Sequence, residues 1–112
     1  MVTQSQITEL CKIIVQFFQP HSIILFGSYG YGKPMENSDV DLLIILPYAE
    51  QNAFKSWEIL NKANPKFPVD IMVRTPQQIQ QRIELNDFFI KEIIEKGKVL
   101  YDSNNQRIVT GK

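Results

Sequence analysis

The chain has 112 residues, of which 44% are hydrophobic and 21% are charged, a composition typical of a globular protein. This length suffices for one domain with a single core. Twelve basic and 12 acidic residues give a formal net charge of +0. Because proteins that hold nucleic acid through many phosphates usually carry a basic surplus, this balance argues against nucleic-acid binding by the isolated chain.

No segment of the sequence predicts export or insertion into a membrane. No apolar run approaches the roughly 20 residues that a membrane helix needs. The first residues lack the basic and apolar regions of a secretory signal. Cys11 is the single cysteine, so it has no partner for an internal disulfide. These features predict a cytoplasmic protein in a reducing compartment.

The first half of the chain predicts a helix followed by two buried strands. Thr3 and Gln6 have the pattern of a capping box, and apolar residues then recur every three or four positions up to Pro20, which predicts an amphipathic helix. Short β-branched runs at residues 22–26 and 40–46 predict strands. Between them, glycines, a proline and an asparagine predict a tight turn, a short helical piece and a loop.

The second half predicts further helices and two strands. These elements are helices over residues 49–64, from Thr75 onward, and from residue 86 or 87 to the C-cap glycine Gly97, and strands over residues 67–73 and 99–101. Residues 1–102 therefore predict one α/β (α+β) domain with a small mixed β-sheet flanked by helices. Residues 103–112 predict a polar, flexible tail.

Two aspartates at the start of the second predicted strand are the first chemical feature. Side chains at positions i and i+2 of a strand project the same way, so Asp39 and Asp41 share one face. Carboxylates this close repel each other unless a cation lies between them, and Mg²⁺ prefers carboxylate oxygens plus substrate phosphates. Asp70 in the third strand, considered alone, is an edge aspartate facing water. Beside the pair, it is a candidate third metal ligand.

A Gly-Ser pair follows the first predicted strand directly. Gly27 lets the backbone approach a phosphate closely, and backbone N–H groups with the Ser28 hydroxyl can bind the phosphate oxygens. By itself such a pair is more often only a turn. Ser38, just before Asp39, has two equally favoured roles, one in binding the same phosphates and one in capping the loop.

Together these residues resemble the polymerase β nucleotidyltransferase superfamily. The Gly-Ser pair at residues 27–28 and the Asp-Val-Asp at residues 39–41, with ten residues between them, match its signature. The longer run at residues 26–42 is similar to the minimal nucleotidyltransferases, called MNT, as are the segments at residues 68–76 and 93–101. The resemblance covers nearly the whole chain and implies a polymerase β-like nucleotidyltransferase fold.

The resemblance also implies a chemistry and a partner. An acceptor hydroxyl would attack the α-phosphate of ATP, and pyrophosphate would leave. Asp39, Asp41 and Asp70 would be catalytic and hold Mg²⁺, as two ions, while Gly27, Ser28 and Ser38 would bind the nucleotide. MNT proteins are antitoxins of HEPN ribonuclease toxins, and in some pairs they add AMP to a toxin tyrosine. The chain is therefore expected to be a nucleotidyltransferase antitoxin that adenylylates a HEPN partner.

Two alternative functions stay open. In the first, the chain neutralises a toxin by binding alone. In the second, it transfers a nucleotide to a small molecule, and an oligomer would have to supply a substrate-binding part. The intact set of aspartates favours chemistry over binding alone. The predicted helix over residues 49–64 and the Phe88 and Phe89 region are candidates for the partner surface, while Trp57 and both phenylalanines are favoured as core or partner contacts over base-stacking platforms.

The glycine loop departs from the family pattern. Many members carry arginines where this chain has Tyr29 and Tyr31, which implies fewer positive contacts for a triphosphate, and Lys33 is the nearest substitute. Core packing is the favoured role of both tyrosines. Further along the chain, the glutamine cluster at residues 77–81 and Arg82 predict a solvated helix face.

Overall fold

A computed structural model describes residues 1–47, 52–104 and 107–108. Its helices are α1 (Gln4–Phe18), α2 (Gly27–Tyr31), α3 (Asn52–Ala63), α4 (Pro76–Glu84) and α5 (Phe88–Lys96). Its strands are β1 (Ser22–Phe26), β2 (Val40–Ile45), β3 (Val69–Arg74), β4 (Lys98–Asp102) and β5 (Arg107–Ile108). The predicted class, a small mixed sheet flanked by helices, is confirmed.

The strands form one sheet in the order β3-β2-β1-β4-β5. β1 runs antiparallel to both β2 and β4, whereas β2 and β3 run parallel to each other. The end of β1 therefore meets the starts of β2 and β3 at one end of the sheet. Three segments that are distant in sequence come together there.

Helices cover the two faces of the sheet unequally. On the closed face, α1 and α3 pack over alternate strand residues that include Leu42 and Ile44, and 18 described residues form one buried cluster. On the open face, α4 and α5 pack over residues that include Leu43 and Ile45, and only seven described residues form the buried cluster. This alternation follows from the two-residue period of strand side chains.

Local sequence signals set the helix starts. The Thr3 hydroxyl accepts the Gln6 N–H at 3.2 Å, and the Gln6 side chain accepts the Thr3 N–H at 2.8 Å. Thr75 and Gln78 repeat this reciprocal pair at the start of α4, with distances of 3.1 and 2.9 Å. Both capping boxes satisfy backbone donors that a helix start leaves free.

Gly97 ends α5, as predicted, but for a different physical reason. Its backbone is extended, with φ of −69°, rather than left-handed. A β-carbon at this position would meet the Ile93 carbonyl oxygen at 2.5 Å and the Ile24 Cγ2 methyl group at 2.7 Å. The glycine is therefore needed for the close approach of α5 to β1, not for a positive φ.

Other differences from the sequence-based expectations are small. β3 begins at Val69, after the predicted start at residue 67. The predicted helix over residues 49–64 is described only from Asn52, and its first residues lie outside the described part. Within the segment predicted to be a flexible tail, Arg107–Ile108 pair with the end of β4. Among the described helices, none has the length and apolar character needed to span a lipid bilayer.

Candidate active site

Three residues on adjacent strands form a row across the open face, at the end of the sheet where β1, β2 and β3 meet. Phe26 of β1 is in register with Asp41 of β2, and Asp41 is in register with Asp70 of β3. Paired residues on neighbouring strands lie roughly 5 Å apart and project from the same face. The fold thus brings Asp41 and Asp70 side by side, although they are far apart in sequence.

The carboxylates act on one another electrostatically. Burial is the main cause that raises the pKa of Asp41 above its ordinary value, and the charges of Asp70 and Asp39 raise it further. Asp39 lies exposed immediately before β2, and Asp70 is exposed on β3. The site therefore concentrates negative charge that only a cation or a proton can offset.

Gly27 places backbone directly against one of these carboxylates. Its φ is +66°, in the left-handed region that favours glycine, and a β-carbon there would overlap the Asp41 carboxylate. The next residue, Ser28, is half-buried and is the second residue of the short helix α2. The Gly-Ser pair and Asp41 are thus contiguous, as the chemistry inferred from their sequence spacing requires.

Ser38 lies in the loop before the aspartates. Its hydroxyl accepts the Met35 N–H at 2.9 Å, and its own N–H donates to the Met35 carbonyl at 3.0 Å. These bonds favour the loop-capping role over the phosphate-binding role. Phosphate binding by Ser38 stays a prediction.

The two tyrosines of the glycine loop have different surroundings. Tyr29 is buried in the closed-face cluster, and its hydroxyl accepts the Val2 N–H at 3.0 Å, so packing is its role. Tyr31 packs against the open-face cluster. Burial and the charges of Glu92 and Asp41 raise the pKa of Tyr31, while a hydrogen bond from the Gly27 backbone lowers it. The Tyr31 hydroxyl therefore lies beside the candidate site rather than in the core.

A cleft of about 1170 Å³ opens on this side of the sheet, with Asp41 and Asp70 among its lining residues. One wall is apolar and consists of Phe26, Phe89 and Ile90. A second group of lining residues, called the polar wall, consists of Arg74, Gln78, Gln81, Arg82 and Asp87. Its lining comes from β1, β2, β3, α3, α4 and α5, and it includes the carboxylates of Asp41 and Asp70.

The polar wall was not assigned to the site by the sequence, which predicted only a solvated helix face. Arg82 Nε lies 2.9 Å from Asp87 Oδ2, and Asp87 Oδ1 accepts the Ile90 N–H at 3.1 Å at the start of α5. The hydrogen bond from the Ile90 N–H is the main cause that lowers the pKa of Asp87, and the bond from Arg82 lowers it further. The pair fixes the α4–α5 corner at the rim of the cleft. The three- and four-residue spacing of Gln78, Gln81 and Arg82 was the available signal that they share one helix face.

The donor set suits Mg²⁺ that is bound together with a substrate. Within the described residues, no three side chains of the His, Cys, Asp or Glu type are arranged to hold a metal ion by themselves. Mg²⁺ commonly takes only one or two carboxylates and completes its coordination with substrate phosphates and water. Asp41 and Asp70, paired across β2 and β3, would supply two such carboxylates, and Asp39 adds negative charge beside them.

Comparison with known sequences identifies the family. The sequence profile described as "Nucleotidyltransferase domain" matches residues 7–101. The chain belongs to the nucleotidyltransferase family. It is 32% identical, over 79 residues, to a Methanocaldococcus jannaschii protein named "Putative protein adenylyltransferase MJ0604", an alignment that covers 70% of this chain and 76% of that protein.

A solved structure supports the fold of this nucleotidyltransferase. The crystal structure titled as that of a putative nucleotidyltransferase from Sulfolobus solfataricus superposes with a TM-score of 0.67. The match covers 95% of this chain and 85% of that chain, at 17% identity. Together with the family match, it establishes the predicted fold and a nucleotidyltransferase enzyme.

The aromatic residues considered as core or partner contacts lie at the surface. On α3, Phe54 and Trp57 are 55% and 59% exposed, and their rings stack with centroids 5.9 Å apart. On α5, Phe88 and Phe89 are 80% and 52% exposed. These four side chains are therefore available for contact with another molecule, and only Phe89 among them lines the cleft of this nucleotidyltransferase.

Proposed function

We propose that the chain is a Mg²⁺-dependent nucleotidyltransferase antitoxin that transfers AMP from ATP to a tyrosine hydroxyl of a HEPN ribonuclease toxin. The observation that carries the proposal is the register of Asp41 with Asp70, beside Gly27 at the end of β1. This arrangement sets a carboxylate pair next to a backbone segment able to approach a phosphate. The name of the Methanocaldococcus jannaschii relative, a protein adenylyltransferase, supports a protein acceptor and an adenylyl group.

In the proposed reaction, the acceptor oxygen attacks the α-phosphorus of ATP, the bond to the β-phosphate breaks and pyrophosphate leaves. Asp39 and Asp41 would hold two Mg²⁺ ions together with the phosphates, and Asp70 would hold Mg²⁺ on the acceptor side and accept the hydroxyl proton. Mg²⁺ supplies charge neutralisation at the attacking and leaving oxygens. Gly27 and Ser28 bind the β- and γ-phosphates. Catalysis is then mainly positioning and electrostatic stabilisation, as in other phosphoryl transfers.

The direction of approach follows from the row of residues. The phosphate-binding pair lies at the β1 end of the row, so the leaving pyrophosphate lies there too. Because attacking and leaving oxygens are in line, the acceptor enters from the opposite end, beside Asp70. β3, which carries Asp70, is an outer strand of the described sheet. A hydroxyl on another protein therefore has access to the site.

We assign the acceptor to a partner protein because the described residues form a single small catalytic domain. Its helices pack on a single sheet, and no second domain is present among the described residues to hold a bulky acceptor. The exposed aromatic pair on α3, Phe54 and Trp57, is a candidate contact for that partner, since exposed aromatic side chains are enriched at interfaces.

The test is to incubate the chain with MgATP and a HEPN protein encoded by a neighbouring gene, and to follow the intact mass of the HEPN protein. We expect an increase of one or more adenylyl groups, located on a tyrosine by peptide mapping. Asp41→Asn should lower the rate at least about 100-fold, because it removes a charged group that positions the reacting phosphate. Omitting Mg²⁺ should also stop the transfer.

Glu9→Gln is the matched control, because it removes an exposed carboxylate in α1 whose one ion pair within the described residues is with Lys12. It should transfer at the normal rate. Wild-type transfer by Asp41→Asn would overturn the assignment of the site. If Asp41→Asn loses transfer but still neutralises the toxin in cells, neutralisation is by binding alone, and the antitoxin role does not require the chemistry.

A further inference from the structure

The ring of Phe89 is held in a fixed orientation at the mouth of the catalytic cleft. It packs against Phe26 with ring centroids 5.8 Å apart and an interplanar angle of 82°, the edge-to-face geometry that aromatic pairs prefer. Phe26 is buried, whereas Phe89 is 52% exposed. One side of the Phe89 ring is therefore anchored to the sheet, and the rest is free to contact a ligand in the cleft that Asp41 also lines.

The position of the nucleoside is inferred by excluding the other directions that lead away from Asp41. The polyphosphate runs toward Gly27 at the end of β1, and the acceptor comes from the side of Asp70 on β3. The closed face beneath the sheet is filled by its buried cluster. The remaining direction leads from the open face into the cleft that Phe89 lines.

We infer that Phe89 stacks on the base of the bound nucleoside triphosphate and is the main base-binding residue of the site. The inference rests on the proposed function, because it takes the position of the α-phosphate from that reaction. Base–aromatic stacking is tolerant of base identity, since every base has a π-face. Phe89 therefore supplies affinity for the nucleoside rather than strict choice among bases.

The other exposed aromatic residues do not meet these conditions. Phe88, the neighbour of Phe89, is 80% exposed and is not among the residues that line the cleft in the described part of the chain. Phe54 and Trp57 lie on α3, whose Ser56 lines the cleft, but neither aromatic side chain is among the described lining residues. Phe88 is consequently a matched control, with the same side chain one position away.

The experiment measures binding rather than transfer, by calorimetry with two probes. One probe is Mg²⁺ with α,β-methylene-ATP, which carries a base and cannot release pyrophosphate. The other is Mg²⁺ with inorganic tripolyphosphate, which carries no base. Phe89→Ala should weaken binding of the nucleotide analogue about tenfold, the size of one lost stacking contact, and leave tripolyphosphate binding unchanged. Phe89→Leu, which keeps an apolar side chain against Phe26, should show the same selective loss.

Phe89→Trp should retain the affinity for the nucleotide analogue, and Phe88→Ala should leave both affinities unchanged. Unchanged binding of the analogue by Phe89→Ala and Phe89→Leu would overturn the inference. Equal weakening of both probes would also overturn it, because that result indicates a general loss of structure. A selective loss in a chain that transfers no AMP to any protein would sustain the stacking and refute the proposed function instead.

Discussion

The two faces of the sheet are built from the same strands but are covered to different degrees. On the closed face, α1 and α3 bury 18 described residues in one cluster, which includes Leu42 and Ile44. On the open face, α4 and α5 bury a cluster of seven described residues and leave a cleft that Asp41 and Asp70 line. Asp41 occupies the open face, between two closed-face residues, Val40 and Leu42.

This difference shows how one small sheet can carry both a stabilising core and a catalytic site. Successive residues of a strand project to opposite faces, so one short strand supplies both core and site. Val40 and Leu42 are fully buried and hold β2 in position, while Asp41 between them is only partly buried. Substitutions on the closed face should therefore change stability, and substitutions at the end of the open face should change activity. The four predictions below test this separation.

The largest effect is expected from Gly27→Ala. The new methyl group would overlap the Asp41 carboxylate and displace it, and displacements of about 1 Å in an active site can cost roughly 100-fold in rate. Nucleotide transfer to the HEPN partner should fall by at least about that factor. The measurement is the initial rate of adenylylation at saturating acceptor.

Gly32→Ala is the control for this substitution. Gly32 also has a positive φ, of 88°, but a β-carbon there would meet no heavy atom within 4 Å. It should cost about 1 kcal/mol of stability through backbone strain and retain transfer. Equal loss of transfer in the two variants would show that strain in the loop, rather than contact with the carboxylate, causes the loss.

The next effect concerns the closed face. Leu42→Ala removes a fully buried side chain, and such truncations cost about 2–5 kcal/mol of unfolding free energy. Urea unfolding should show this loss, while the rate per folded molecule stays near that of the wild type. Met72→Ala, a partly buried residue on the open face, should cost clearly less. A larger loss at Met72 would contradict the assignment of the main core to the closed face.

Two tyrosines in α2 test the same separation on a smaller scale. Tyr29→Phe removes the hydroxyl that accepts the Val2 N–H, and it should cost about 1 kcal/mol without changing nucleotide binding. Tyr31→Phe removes a hydroxyl beside Gly27 and Asp41, so it should change MgATP affinity more than the melting temperature. Thermal melts and nucleotide titrations on both variants are the measurements. A change in MgATP affinity for Tyr29→Phe, with only a stability loss for Tyr31→Phe, would contradict the two assignments.

The smallest effect is a dependence of stability on pH. The pKa of Asp41 is raised above its ordinary value of 3.8, so the folded state holds this proton more tightly than the unfolded state does. The resulting stabilisation is present below 3.8 and is lost as the pH rises through the raised pKa. Without Mg²⁺, Asp41→Asn should therefore melt above the wild type at neutral pH and alongside it in acid. Equal melting temperatures of Asp41→Asn and the wild type at neutral pH would contradict the raised pKa of Asp41.

Local patterns in the sequence predict most of the secondary structure. The capping box at Thr3 and the apolar periodicity after it predict α1, and the β-branched runs predict β1 and β2 closely. These signals act within a few residues, so no tertiary information is needed. Strand order is different, because the parallel pairing of β2 with β3 depends on contacts between segments separated by α3. The sequence predicts a mixed sheet but not this order.

The candidate site likewise contains some residues that the sequence predicts and others that depend on tertiary packing. Asp41 and Asp70 are predicted from the sequence, because a carboxylate within an apolar strand is out of place. Arg82 and Phe89 are not predicted to line the cleft, because their position depends on how α4 and α5 turn against the sheet. Helix geometry alone puts Tyr29 and Tyr31 on opposite sides of α2. Which of them meets the closed-face cluster depends on how α2 packs on the sheet, so their separate roles are not predicted from the sequence.

The parallel pairing of β2 and β3 also has a consequence for the order of folding. Helix caps and periodic faces act locally, but Asp41 meets Asp70 only after α3 has crossed over and β3 has joined the sheet. Long-range parallel pairing is slow, because chain entropy is lost before the contacts compensate it. During refolding, helical circular dichroism should therefore recover before catalytic activity does. Activity therefore returns only once β3 has paired with β2 and set Asp70 beside Asp41.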